Sequence, residues 1–201
     1  MFEKLIKMLE ENDFELDYDD AEFIADELDL GFGSGCTRFG FVFREEGICV
    51  KIPRYREENK NYCEMEIKHY NSAKDYGIEQ VLLAIEKITT TKNGVEMYQQ
   101  PKYDFTTSEL TYDNANDEMC LELQKIYQNR KSVINYFWKK YFDGCISKLW
   151  LTAVYKAYGG KFLLNFCYWV YHNDINDLHT DNTGFLNNLP IIFDYAGFYC
   201  E

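Results

Sequence analysis

The sequence predicts an α+β fold, with a small antiparallel β-sheet first and a mostly helical part after it. Runs in which apolar residues alternate with other residues fall mainly in the first half of the 201 residues, and this period is typical of half-buried strands. From Asp117 onward the apolar residues recur mostly at helical spacing. Strands followed by helices favour a sheet lobe and a helical lobe, with the crossover near residues 99–105.

In the first half, each local pattern predicts one element. Helical spacing predicts an amphipathic helix that carries the apolar residues of 2–9, and a second helix over 20–28. Alternating apolar residues on both sides of a Gly-containing turn predict a β-hairpin over 39–52. A helix without Pro or Gly is expected over 58–76, and the Asn-Gly pair at 93–94 predicts the turn of a second hairpin.

In the second half, helices dominate until two short segments near the end. A polar turn from Asp177 to Asn182 is followed by the apolar run Leu189–Phe193, which is expected to form a strand that delivers Asp194. Helical spacing is found in four stretches, over residues 117–130, 131–142, 147–160 and 160–173.

The order of these elements suggests three parts. Residues 1–29 form an acidic helical extension, 30–103 a sheet lobe with one main helix, and 104–201 a reduced, mostly helical lobe. Residues 9–30 contain no Lys or Arg. They could form a surface that docks a partner or mimics DNA, but a solvated acidic face on two short helices is the favoured interpretation.

Composition excludes several classes of protein. The net charge of −13 argues against non-specific binding to nucleic acid. The longest apolar stretch, 162–171, is too short to span a bilayer, and the N-terminus lacks a signal peptide's features, so a cytoplasmic location is expected. The seven Cys residues contain no Cys-x-x-Cys pair, which favours reduced, mostly buried thiols over a zinc site or disulfides.

A glycine-rich segment precedes the first predicted hairpin. Gly31, Gly33 and Gly35 stand at every second position, and glycine lets backbone N–H groups approach phosphate oxygens closely. Because a strand follows rather than a helix, the segment is neither a Walker loop nor a dinucleotide-binding fingerprint. Taken alone, such a segment is usually only a turn.

Lys51 and Glu66 are candidate partners near this segment. Lys51 has apolar neighbours on a predicted strand, so it could face solvent or reach phosphates under the glycine segment. On the next helix, Glu66 falls within the apolar face, whereas Glu64 falls nearer to Lys60 and Lys68. Glu66 is therefore the better candidate to point inward and pair with Lys51, although either Glu could be ordinary helix surface.

The order of glycine loop, strand Lys, helix Glu, hairpin, helical region and two late motifs resembles the protein-kinase-like superfamily. The late motifs are the most specific part. The segment Asp177–Asn182 (DLHTDN) is similar to the catalytic loop of aminoglycoside- and choline-kinase-like proteins, and IIFDYAG, which contains Asp194, resembles the metal-binding Asp motif. The chain also looks like the small kinase-like proteins of bacteriophages. The resemblance implies a truncated bilobal kinase-like fold.

The resemblance also implies a role for each motif residue in using ATP and Mg²⁺. Lys51 would bind the α- and β-phosphates while Glu66 holds it, and Asp177 would orient the acceptor hydroxyl and take its proton. Asn182 and Asp194 would hold Mg²⁺, which prefers oxygen ligands. The phosphates would be covered by Gly33, Ser34 and Gly35, and the adenine would lie against a hinge over Met97–Pro101, with Met97 and Gln99 as binding residues.

The chain departs from the family pattern near both late motifs. Ile175 and Asn176 precede the catalytic Asp, Ala196 replaces the glycine of the metal motif, and the chain ends shortly afterwards. His179 is expected to brace the catalytic loop by hydrogen bonding, rather than to act as a base or a metal ligand.

Three functions follow from the resemblance, in this order. The first is a minimal phosphotransferase that moves the ATP γ-phosphate to a hydroxyl of a host or viral protein. The second is a non-catalytic kinase-like protein that binds and inhibits a host factor, for which residues 10–29 offer an acidic face. The third is a small-molecule kinase, suggested by Asp-Leu-His in the catalytic loop. No membrane partner and no direct nucleic-acid partner is expected.

Overall fold

The computed structural model describes residues 1–11, 16–54, 61–102, 148–175, 178 and 182–196. These residues form an α+β structure, as predicted. The chain divides into two compact units: unit 1 comprises Met1–Ile67 and Ala84–Lys102, and unit 2 comprises Lys68–Leu83 and Tyr103–Glu201. The predicted boundary at residue 103 lies within one residue of this division. The other predicted boundary differs from it, because residues 1–29 belong to unit 1, where the first two helices share a core with the sheet, and residues 68–83 belong to unit 2.

Unit 1 is built on a five-stranded antiparallel sheet with the strand order β1-β2-β3-β5-β4. Both predicted hairpins are confirmed, since β2 pairs with β3 and β4 pairs with β5. Gly47 (φ 67) and Gly94 (φ 91) take up left-handed conformations in the two turns, where glycine carries no steric penalty. The strands are β1 (Gly31–Ser34), β2 (Arg38–Phe43), β3 (Ile48–Pro53), β4 (Glu86–Thr90) and β5 (Glu96–Pro101).

Helices α1 (Phe2–Glu11) and α2 (Tyr18–Glu27) pack on one face of this sheet. Their apolar residues form one buried cluster with Phe39, Phe41 and Phe43 of β2. Because side chains alternate along a strand, the three Phe residues share this face. α2 begins at Tyr18, before the predicted start, because the Asp17 side chain caps it by accepting a hydrogen bond from the Asp20 N–H at 2.8 Å.

Helix α3 (Tyr62–Tyr76) confirms the predicted helix from its first described turn onward, and the predicted start at residue 58 lies outside the described residues. Its residues up to Ile67 belong to unit 1 and those from Lys68 belong to unit 2. It ends at Gly77, whose φ of 63 is the left-handed conformation typical of a residue that follows a helix.

Unit 2 contains a 3-10 helix (Glu79–Val81), the helix α4 (Lys148–His172) and a hairpin of β6 (Thr183–Leu186) and β7 (Leu189–Ile192). A non-helical residue, Gly159, interrupts α4 where the two predicted stretches meet. The predicted strand after Leu189 is confirmed as β7. Its partner β6 is not predicted, because its short sequence shows no alternation. The helices predicted over 117–130 and 131–142 lie outside the described residues.

The four described cysteines are free, and three of them are buried: Cys49, Cys63 and Cys167. Burial raises the pKa of the Cys49 and Cys167 thiols, which keeps them protonated. In the described part of the chain, every helix is too short or too polar to cross a membrane.

Candidate functional site

A buried charged cluster in unit 1 joins Lys51, Glu66 and Arg38. Lys51 Nζ lies 3.1 Å from Oε2 and 3.4 Å from Oε1 of Glu66, so the predicted pairing of these two residues is present. Arg38 Nη1 lies 2.9 Å from the same Oε2. The Glu66 side chain is 0% exposed, that of Arg38 8% and that of Lys51 10%. Water screens such buried charges poorly, so they attract one another strongly, and this contact joins α3 to the sheet.

Strand alternation explains why Lys51 meets α3. Its neighbours Val50 and Ile52 belong to the cluster under α1 and α2, so the Lys51 side chain lies on the opposite face. Tyr98, the partner of Lys51 in the β3–β5 register, packs with Cys63 of α3. The sheet of unit 1 is therefore covered by α1 and α2 on one face and by the start of α3 on the other.

Two glycines lie beside Lys51 on this second face. Gly33 pairs with Gly40, and Gly40 pairs with Lys51, and directly paired residues share a face. A methyl group added at Gly40 would lie 3.4 Å from Cys49 Sγ, whereas one added at Gly33 would meet no described atom within 4 Å. Among the described residues, the space next to the Gly33 backbone is therefore free.

Arg54 contacts both the last residue of β1, Ser34, and the first residue of the turn that follows, Gly35. The Arg54 guanidinium donates to Gly35 O at 3.0 Å and to Ser34 Oγ at 3.4 Å, and its Cζ lies 4.5 Å from the Phe39 ring centroid. A methyl group added at Gly35 would come no closer than 3.8 Å, to Arg38 O, and no left-handed φ occurs at Gly33 or Gly35. Neither a left-handed φ nor a close steric contact among the described residues therefore requires glycine at these two positions.

The N-terminal end of α3 is tied to the sheet through Asn61 and Tyr98. Asn61 Oδ1 accepts the Cys63 N–H at 3.0 Å, and Asn61 Nδ2 donates to the Tyr98 hydroxyl at 2.7 Å. That hydroxyl donates to Glu64 Oε1 at 2.7 Å. Burial is the main cause, and the hydrogen bond to Glu64 the second, that raises the pKa of Tyr98 far above its usual range. Glu64 therefore accepts a hydrogen bond from Tyr98, whereas Glu66 pairs with Lys51 and Arg38.

The Met97 and Gln99 side chains lie on the opposite face of the sheet from Lys51. Met97 is buried in the cluster under α1 and α2, and Gln99 Nε2 donates to Glu86 Oε1 at 2.5 Å. The segment Met97–Pro101, which is expected to form the hinge, lies in β5, which pairs with β3 on one side and with β4 on the other. Along β5, Tyr98 and Gln100 are the residues that share the face of Lys51.

In unit 2, the β6–β7 hairpin brings Asn182 and Asp194 to the same end. Thr183 pairs with Ile192, and the Phe193 N–H donates to Asn182 O at 3.1 Å. Asn182 directly precedes β6 and Asp194 closely follows β7, so both oxygen-bearing residues stand at the open end of the hairpin. Within the described ranges, no three or more His, Cys, Asp or Glu side chains are grouped as metal ligands. A metal site here would therefore depend on the Asn182 amide and the Asp194 carboxylate.

Buried aromatic residues fix this hairpin. Trp150 Nε1 of α4 lies 3.2 Å from both Gly184 O and Ile191 O, so its N–H is shared between the two strands. Tyr195, directly after Asp194, is fully buried, and its hydroxyl donates to Leu83 O at 2.7 Å. Asp194 thus stands between a strand and an anchored Tyr, which limits its freedom.

Two further predicted residues, Asp177 and His179, lie outside the described residues. Leu178 between them is buried in the core of unit 2. Sequence reasoning missed Arg38, Arg54 and Trp150. The alternation of β2 offered a signal for Arg38, because residues at even positions must face away from the buried Phe residues.

Comparison of the chain with protein-family models, with curated proteins and with solved structures finds no match. Its function is therefore argued from the chemistry of these two groups of residues.

Proposed function

We propose that this protein is a minimal kinase-like phosphotransferase of the small bacteriophage type. It moves the γ-phosphate of Mg-ATP to a hydroxyl group of a host or viral protein. The observation that carries the proposal is the buried contact of Lys51 with Glu66, on the sheet face where Gly33 leaves the backbone open. A Lys held by a buried carboxylate beside a glycine that has no Cβ to block a ligand is suited to bind phosphate.

Phosphoryl transfer needs mainly in-line positioning and neutralisation of charge on the phosphate oxygens. In unit 1, Lys51 supplies a cation whose direction Glu66 fixes. In unit 2, Asn182 and Asp194 fit Mg²⁺ because they offer amide and carboxylate oxygens at one end of a fixed hairpin. Mg²⁺, when bound, neutralises charge on the phosphates. Asp177 orients the acceptor hydroxyl and takes its proton.

A non-catalytic interaction protein is the second candidate, and α2 favours it. Asp19, Glu22, Asp26 and Glu27 are all exposed on this helix, and Phe23 among them is 59% exposed. An exposed aromatic ring within an acidic face is suited to a basic protein partner. If this function applies, the biological effect survives Asp177→Ala.

The direct test is transfer of label from γ-labelled ATP. The purified protein is added with Mg²⁺ to a bacterial lysate, beside an Asp177→Ala control. We expect label on the protein itself or on a lysate protein, and its loss in the control, because Asp177 handles the proton of the acceptor. Label found only on small molecules would favour the small-molecule kinase. No transfer above the control would reject the enzyme.

Gly33→Ala is expected to weaken ATP binding about tenfold or more, because the new methyl group occupies the approach of the phosphates. Its stability should be unchanged or raised by less than about 1 kcal/mol, since its φ is not left-handed. The matched control is Gly47→Ala, where φ is +67 and the opposite pattern is expected: a lower melting temperature and unchanged ATP affinity. Titration calorimetry and thermal melts measure both. Equal ATP affinities for Gly33→Ala and wild type would remove the glycine turn from the site.

A further inference from the structure

The buried cluster contains two cations on one carboxylate oxygen. Arg38 Nη1 lies 2.9 Å and Lys51 Nζ lies 3.1 Å from Glu66 Oε2. Together these three side chains carry a net charge of about +1 at neutral pH, whereas a Lys–Glu pair carries none. The whole chain has a net charge of −13. The cluster of Arg38, Lys51 and Glu66 is thus positive in a protein that is negative as a whole.

The shared oxygen links the charge on Arg38 to that on Lys51. A carboxylate offers one negative charge, and Coulomb energies between buried groups a few Å apart are large. The planar guanidinium remains charged at any pH that the fold tolerates. The more of the Glu66 charge that Arg38 compensates, the more of the Lys51 charge remains for another anion.

Arg38 is also joined to the glycine turn. Its backbone carbonyl accepts the Gly35 N–H at 2.9 Å, and Arg54 donates to Gly35 O at 3.0 Å. One residue therefore contacts the turn through its backbone and the buried carboxylate through its side chain. A displacement of Arg38 would disturb the turn and the charge of the cluster together.

We propose that Arg38 is a positioning residue that sets how strongly Lys51 attracts the phosphates of a nucleotide. This inference rests on the proposed function. Arg38 acts through Glu66: it shares the carboxylate and leaves Lys51 positively charged toward the ligand. The site therefore selects ligands that carry a di- or triphosphate over those that carry one phosphate or none, because a di- or triphosphate presents more negative charge to one fixed cation.

The test measures ADP and adenosine affinity by titration calorimetry for wild type, Arg38→Met, Glu66→Gln and the double variant. ADP avoids turnover. Arg38→Met should weaken ADP binding about tenfold or more, because Arg38 then no longer compensates part of the Glu66 charge. Adding Glu66→Gln to Arg38→Met should recover part of the lost ADP affinity, since no carboxylate then competes for Lys51, but not all of it, since the carboxylate that fixes Lys51 is also lost. Adenosine affinity should not change.

Arg38→Lys keeps the cation and serves as the conservative variant, with an expected loss of ADP affinity of less than about threefold. Arg38→Gln keeps the test decisive if Arg38→Met fails to fold, because it also removes the cation, keeps a polar side chain at this position and should weaken ADP binding by a similar factor. Unchanged ADP affinity in Arg38→Met, or a double variant weaker than either single one, overturns the inference. Lys51→Met separates the two failures. If Lys51→Met loses ADP affinity while Arg38→Met binds ADP as well as wild type does, only this inference fails. If wild type itself binds no ADP, the proposed function is rejected as well.

Discussion

Glu66→Ala is expected to lower the free energy of unfolding by about 3–5 kcal/mol, the cost typical of removing one partner from a buried ion pair. The Glu66 side chain is fully buried, and both Arg38 and Lys51 lie within 3.1 Å of its Oε2. Without the carboxylate, two cations remain buried without this common partner. Thermal and urea unfolding measure the effect, which corresponds to a fall in melting temperature on the order of 10 °C for a chain of this size.

The matched variant is Lys51→Met, which removes one cation and keeps the aliphatic stem. Here Arg38 remains 2.9 Å from the carboxylate, so Glu66 keeps a charged partner. The expected loss is therefore smaller, about 1–2 kcal/mol. If Lys51→Met is as destabilising as Glu66→Ala, Arg38 does not share the charge of Glu66, and the arrangement of the cluster described above is wrong.

Asp194→Asn is expected to reduce phosphoryl transfer by at least about 100-fold, because the substitution removes the one charged ligand proposed for Mg²⁺ and keeps the shape of the side chain. Tyr195 next to it is anchored to Leu83 O at 2.7 Å, so the fold should be retained. In wild type, ATP should raise the melting temperature more with Mg²⁺ than with EDTA. In Asp194→Asn, the two shifts should become equal.

The control for Asp194→Asn is Asp174→Asn, which makes the same chemical change at an exposed position at the end of α4. Transfer and the Mg²⁺-dependent shift should both match wild type. A Mg²⁺-dependent shift that survives in Asp194→Asn would show that the metal is held by other residues. A shift that is equal with Mg²⁺ and EDTA in wild type itself would remove the metal assignment altogether.

Local patterns were sufficient for most of the described elements. The hairpins of unit 1 follow from alternation on both sides of a turn that contains Gly47 or the pair Asn93-Gly94, and each of these signals involves residues close in sequence. The inward direction of Glu66 follows from the helical wheel for the same reason. The start of α2 was missed because one capping side chain, Asp17, outweighed the apolar pattern.

The α+β class, the two hairpins and the inward direction of Glu66 follow from local patterns, because each depends on a period of two or of 3.6 residues. The three-dimensional structure was needed to show that Arg38 shares the Glu66 carboxylate, that β5 also pairs with β3, and that one hairpin brings Asn182 and Asp194 to the same end. These facts depend on strand order, on register and on how a helix docks on a sheet. Such contacts join residues far apart in the chain, and no local period encodes them.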